Sequence, residues 1–257
     1  EPEKVSVAME ALSKEETEEL AAQERGRYKI DMDSTLFERS CRLALALEKV
    51  LRQGQFDGLA SFDQVWLTDP RVGIIPSYGT GRLCEIGFPT STEADITTLT
   101  AMFILQELTG QATFLENYII DFDREAMILS HDGHGNPAMA ASPSDVKIKH
   151  SIYYEGVHGF GAGFEFAYAP GPVTNLALVN VGGRWRLIVA EGDSIAIKPR
   201  PVAAPQMLFR PKKLGIADWC NGWLTAGAPH HMALAYGHLA DRLRRVAALG
   251  GWDYFEV

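Results

Sequence analysis

Val173-Thr174-Asn175-Leu176-Ala177-Leu178-Val179-Asn180-Val181-Gly182-Gly183-Arg184-Trp185-Arg186-Leu187-Ile188-Val189 decides the reading of this fold. Two apolar, β-favouring runs flank a Gly-Gly pair. Such pairs join antiparallel strands, because glycine accepts the positive φ that a two-residue turn demands. Working outward, Phe114 to Phe122, Ala126 to Leu129, Val146 to Tyr154 and Ser194 to Ile197 share the strand-like texture, separated by Gly and Pro turns. The chain after Gly110 therefore reads as antiparallel β, a small barrel or sandwich. A late helix is expected over about His231 to Ala248, before Gly250-Gly251 and a short terminal strand near Tyr254.

Upstream of Gly110 the texture differs. Ser13-Lys14-Glu15-Glu16 has the form of a capping box opening an acidic helix to Arg27. Leu36, Leu43, Leu45, Leu47, Val50 and Leu51 mark a helical stripe from Ser34 to Gln53, which Gly54 ends. Gln55 to Leu67 reads as a short strand, Asp69 to Arg82 as turn-rich, and Cys84 to Pro89 as a strand end running into a loop. Pro89 to Asp95 looks like a helix start with acids in its first turn, the helix reaching Leu108 and stopping at Gly110. The fold class is α/β. An incomplete, partly parallel α/β layer over 1–110 precedes an antiparallel β domain over 111–257.

A length of 257 residues suffices for one large domain or two smaller ones. The net charge of -9 gives no global field attracting nucleic acid or acidic lipid, and no apolar run reaches membrane-spanning length. Neither nucleic acid nor membrane is an expected partner. Cys41, Cys84 and Cys220 are widely spaced, odd in number and form no CxxC unit. They read as small buried hydrophobes of a protein in a reducing cytoplasm. The chain opens Glu1-Pro2-Glu3-Lys4 without an initiating Met, so it is expected to be processed or to be the back part of something longer.

The chemistry-bearing residues are Glu93, Glu116, His131 and the pair His230-His231. Two carboxylates and two imidazoles suit a divalent metal such as Mn²⁺, and the same carboxylates can move protons. Each has an ordinary alternative. Glu93 alone is a dipole-favourable first-turn acid. Glu116 sits in the apolar run Phe114-Leu115-Glu116-Asn117-Tyr118, where burial is costly for an unpaired carboxylate, unless strand alternation turns it to solvent. His131 opens the Gly-rich loop to Pro137, either a ligand loop or a hydrophilic turn. His230-His231 is either a surface cap or a metal ligand beside a substrate contact. His150, His158 and His238 read as structural, and Gly156 to Gly163 lacks the Lys-Ser/Thr of a phosphate loop.

Four segments taken together resemble the central and C-terminal part of the L-arabinose isomerase / L-fucose isomerase family. They are Thr92-Glu93-Ala94-Asp95 with its Thr-rich helix, Phe114 to Tyr118, Ile128-Leu129-Ser130-His131, and Ala226-Gly227-Ala228-Pro229-His230-His231. The resemblance implies an aldose-ketose sugar isomerase acting through an enediol. It implies Mn²⁺ held by Glu93, Glu116, His131 and His231, with Glu93 and Glu116 as the acid/base pair. His230 would contact the sugar, and Asp132 and His134 would orient the ligands. It also implies a homo-oligomer and an N-terminal domain that this chain lacks. A fragment, or a partner chain supplying that domain, is therefore expected. The rival reading is a non-catalytic sugar-binding or assembly module. A hydrolase using the two carboxylates leaves the histidines without a role.

Overall fold

The computed structural model describes residues 2–153 and 157–257, with the side chains of 64, 152, 153 and 157–159 outside the described set. Gly156 and the His158 side chain thus lie outside the described residues. The first part comprises α1 (Pro2–Glu10), α2 (Lys14–Arg27), β1 (Lys29–Asp31), α3 (Ser34–Gly54), β2 (Leu59–Ala60), α4 (Asp63–Thr68), α5 (Ser77–Glu85), β3 (Thr90–Ser91) and α6 (Ile96–Thr109). There follow β4 (Thr113–Asp121), β5 (Ala126–Ser130), β6 (Lys147–Tyr153), β7 (Val157–Glu165), β8 (Gly171–Val181), β9 (Arg184–Ile195) and β10 (Gln206–Pro211). The chain ends with α7 (Ile216–Thr225), β11 (His231–Tyr236), α8 (Ala240–Gly250) and β12 (Asp253–Glu256).

The fold is mixed α/β. Gly182 and Gly183 turn with φ of 59° and 84°, and β8 pairs β9 from Gly171 opposite Ser194 to Val181 opposite Arg184. The main sheet has the order β10-β5-β4-β11-β8-β9-β12. Because β10 also pairs β9, the hydrogen-bonded neighbours run round through six strands and back to β10, while β12 adds in parallel on β9. Smaller pairings join β1-β6-β7 and, in parallel, β2-β3.

One apolar cluster gathers Met102 and Leu105 of α6 and Leu243 of α8 with Phe114, Leu176 and Leu187 of the sheet. Another gathers Trp219 and Trp223 of α7 with Leu129, Phe209 and Met232. Each large apolar side chain so buried contributes about 1.5–3 kcal/mol.

The capping box of α2 forms, with Glu16 N donating to Ser13 Oγ at 3.1 Å and Ser13 N donating to Glu16 Oε2 at 2.7 Å. Helix α6 stops at a left-handed Gly110, as its sequence requires. Other expectations need correction. The late helix does not begin at His231. That residue opens β11, whose run Met232-Ala233-Leu234-Ala235 is buried between β4 and β8, and α8 waits until Ala240. The turn-rich reading holds from Asp69 to Pro76, but from Ser77 on it, and the strand reading of Cys84, give way to α5. Its Gly79 lies against α3, where a Cβ would stand 3.2 Å from Ala44 Cα, so this glycine marks a close helix contact rather than a turn. The strand over Gln55 to Leu67 shrinks to Leu59–Ala60, and α4 follows.

Candidate functional site

Strands β4 and β11 build half of the site. Their register sets His231 directly opposite Glu116, and opposed residues of an antiparallel pair present their side chains on one face. Strand β5 sets Ser130 opposite Glu116 on the other side, bringing His131 to the same end. The remaining carboxylate arrives on the segment after β3. Glu93 is not in the first helical turn, as expected from sequence, but two residues before the cap of α6. Glu93 and Ala94 hold φ of 56° and 57°. Ala94 N donates to Ser61 O at 2.7 Å, and Ser61 N to Ser91 O at 2.8 Å, which ties the segment down.

All five singled-out residues meet. His231 Nε2 lies 3.6 Å from Glu93 Oε2 and 3.5 Å from Glu116 Oε2. His131 Nε2 lies 4.0 Å from Glu93 Oε1, and His230 Nε2 lies 3.5 Å from Glu116 Oε2. The cluster opens to solvent on one side: the His131 and His231 side chains are each 7% exposed, whereas Glu93 is 35% and His230 61% exposed. Beneath lies Phe114, its ring 4.7 Å from that of His231, 5.0 Å from His131 and 5.7 Å from His134.

Asp95 is the residue that sequence reasoning missed. Its carboxylate caps α6, accepting from Thr98 N at 2.8 Å, and also accepts from His231 Nδ1 at 3.0 Å. That bond leaves His231 Nε2 as the ring's second nitrogen, buried and without a hydrogen-bond partner, facing two carboxylates. A carboxylate behind an imidazole whose other nitrogen is free is how proteins orient a metal-binding histidine. Glu93, Glu116, His131 and His231 could hold one divalent cation between them. The helix-cap signal for Asp95 is in the sequence, but its histidine partner lies 136 residues away. Asp132 and His134 form their side-chain hydrogen bonds with residues other than the four ligand candidates. Asp132 accepts from the Tyr118 hydroxyl at 2.8 Å, and His134 Nδ1 is bonded to Thr80 Oγ1 at 2.9 Å. Thr92 Oγ1, at 3.0 Å from His131 Nε2, contacts a ligand candidate instead.

The charges are sorted by burial. Burial pushes His131 down to about 4 against the pull of Glu116, and pushes His134 down to about 3, so both rings are neutral near pH 7. Burial also works against the His231 imidazolium, but the carboxylates of Asp95, Glu116 and Glu93 outweigh it and raise the group to about 9. Burial disfavours the Glu116 carboxylate, yet the adjacent His231 imidazolium holds it below its ordinary value. Asp95, pressed the same way by burial, is held well below the carboxylate range by His231 and Thr98. A proton on His231 Nε2 would be displaced by a cation taken at that atom.

Residues 111–253 match the model of the L-arabinose isomerase C-terminal domain, a span that contains Glu116, His131, His230 and His231. The chain belongs to the L-arabinose isomerase family. It is similar to the L-arabinose isomerase of Saccharophagus degradans, 26% identical over 242 residues that cover 87% of this chain and 46% of that protein. L-arabinose isomerase 1 of Bacillus licheniformis is 24% identical, covering 83% of this chain and 43% of that protein. The enzyme of Shouchella clausii is 24% identical, covering 94% and 50%. The chain thus spans about half the length of the curated relatives it matches.

Other features of the family member bear on its setting. No helix among the described residues is long and apolar enough to cross a membrane. The three cysteines are free. A 950 Å³ cleft lined by Ile119, Phe122, Arg124, Lys198 and Arg210 includes none of the five site residues, whereas a 280 Å³ pocket between Trp219, Trp223 and Leu224 reaches His230.

Proposed function

We propose that this chain carries the metal-dependent centre of an aldose-ketose sugar isomerase, or forms the corresponding part of one. The observation that carries the reading is the convergence of Glu93 and Glu116, at 3.6 and 3.5 Å, on a buried His231 Nε2 whose ring is fixed from behind by Asp95. A divalent ion such as Mn²⁺, held by Glu93, Glu116, His131 and His231, would polarise the sugar's carbonyl and adjacent hydroxyl oxygens. The chain's own residues do the proton work. One of the two carboxylates takes the proton from the hydroxyl-bearing carbon next to the aldehyde. The hydroxyl proton moves to the carbonyl oxygen by way of the other, giving the enediol as its singly protonated enediolate. Return of the carbon-bound proton to the former aldehyde carbon completes the ketose. Exposed His230 donates a hydrogen bond to a sugar hydroxyl. The buried faces of Phe114 and His131 keep water from the far side of the centre.

The reading includes a further segment, or a partner chain in an oligomer, completing the sugar pocket, because the relatives extend to about twice the matched length. Free thiols suit a reducing compartment such as the cytoplasm. Incubation of the protein with a panel of aldoses and Mn²⁺, with ketose formation as the readout, tests the proposal. Turnover in wild type, lost in Glu116→Gln, is expected. Sugar binding without turnover would replace it with a non-catalytic binding module, and unchanged turnover in Glu116→Gln would refute the site.

A further inference from the structure

The cluster holds two overlapping sets of ligand atoms. Glu116, His131 and His231 form one, and Glu93, His230 and His231 the other; within each set the atoms lie within 4.8 Å of one another. Both use His231, and its Nδ1 is committed to Asp95. A single nitrogen, Nε2, therefore serves both sets, so two ions cannot occupy them at once, and an ion in either set is held by His231. The sets differ in access. The inner one ends on His131, 7% exposed, and the outer one on His230, 61% exposed. Glu116 Oε2 stands 3.5 Å from both His230 Nε2 and His231 Nε2, so a carboxylate oxygen spans the gap between the two sets.

We infer that Glu93, His230 and His231 form a landing position for the divalent cation, from which it passes to Glu116 and His131 while keeping Glu93 and His231 and giving up His230. The inference rests on the metal-centre reading above and adds the order in which the ligands engage. An exposed imidazole exchanges one hydration water of the ion for nitrogen while the ion's other waters still face solvent. The buried His131 then replaces further waters in a second, intramolecular step. His230 is in this role a positioning residue for loading rather than a resident ligand.

Stopped-flow mixing of the metal-free protein with Co²⁺ tests it, read by d–d absorption and by quenching of Trp219 and Trp223, which line a pocket together with His230. Wild type is expected to load in two phases, the first dependent on Co²⁺ concentration and the second independent of it. His230→Ala, at an exposed position, should lose the first phase and slow loading on the order of 10-fold. Its equilibrium affinity should stay within about 3-fold of wild type, as for a residue independent of the final site. Glu116→Gln should keep the fast phase and lose the slow one. Unchanged loading kinetics in His230→Ala would overturn the inference while leaving the metal centre intact. Loss of equilibrium binding in His230→Ala would also overturn it, by making His230 a resident ligand. Absence of Co²⁺ binding to wild type would instead refute the metal centre itself.

Discussion

Glu116 and His231 stand opposite each other on neighbouring strands whose backbones are laddered on both sides, β4 to β5 and β11 to β8. Glu93 stands instead where two consecutive non-glycine residues hold positive φ, in a segment tied to the body by the Ala94–Ser61 and Ser61–Ser91 bonds. A left-handed residue with a Cβ costs on the order of 1 kcal/mol. One half of the site is thus preorganised by sheet pairing, and the other is held in place against its own backbone preference. The difference divides the labour: the strand half fixes where the charge sits, and the segment half supplies an acid that tertiary bonds hold in position and solvent can reach.

The largest expected effect breaks the strand half. Phe114 is fully buried beneath three imidazoles, and Phe114→Ala should cost about 3–5 kcal/mol in a denaturant titration. A loss below about 1 kcal/mol would mean that the ladder does not rely on this ring.

His231→Ala comes next. Isothermal titration with Mn²⁺ should show affinity reduced by about 100-fold or more, above the loss typical of an outer partner; retained affinity would remove the nitrogen common to both ligand sets.

Asp95→Asn sharpens the comparison, because asparagine still caps a helix but loses the charge behind the imidazole. Mn²⁺ affinity should fall by about 10- to 100-fold, with helix content by circular dichroism unchanged. Equal affinity would show that ring orientation does not depend on this carboxylate.

The smallest effect concerns the segment half. Ala94→Gly removes a Cβ at φ 57° and should raise stability by about 1 kcal/mol, seen as a higher Tm. A lower Tm would show that the backbone there is not strained.

The same division explains what could be read from the amino-acid order. Glu116 and its strand were legible, because Phe114-Leu115-Glu116-Asn117-Tyr118 carries local β signals and the Gly182-Gly183 hairpin fixes the antiparallel context. The sequence pattern places His231 at a helix start, whereas it opens β11. Met232-Ala233-Leu234-Ala235 is buried on both faces, and a short, wholly apolar run has no period to separate strand from helix. Glu93 reads in the sequence as a helical first-turn acid, since nothing local announces that two residues with side chains adopt positive φ under long-range hydrogen bonds. Helix α5 was hidden for a related reason: Gly79 and Gly81 serve close packing against Ala44, Gly135 and Phe164, which looks like turn composition until the neighbours are in place.

Asp95 makes the last of these features a matter of timing. One carboxylate closes the first turn of α6 and grips the ring of His231 on a distant strand. Fraying of that turn releases the imidazole, and release of the imidazole uncaps the turn. The Thr98 amide and the His231 ring therefore belong to one cooperative opening unit, so native-state hydrogen exchange at the start of α6 reports on how long the site stays assembled.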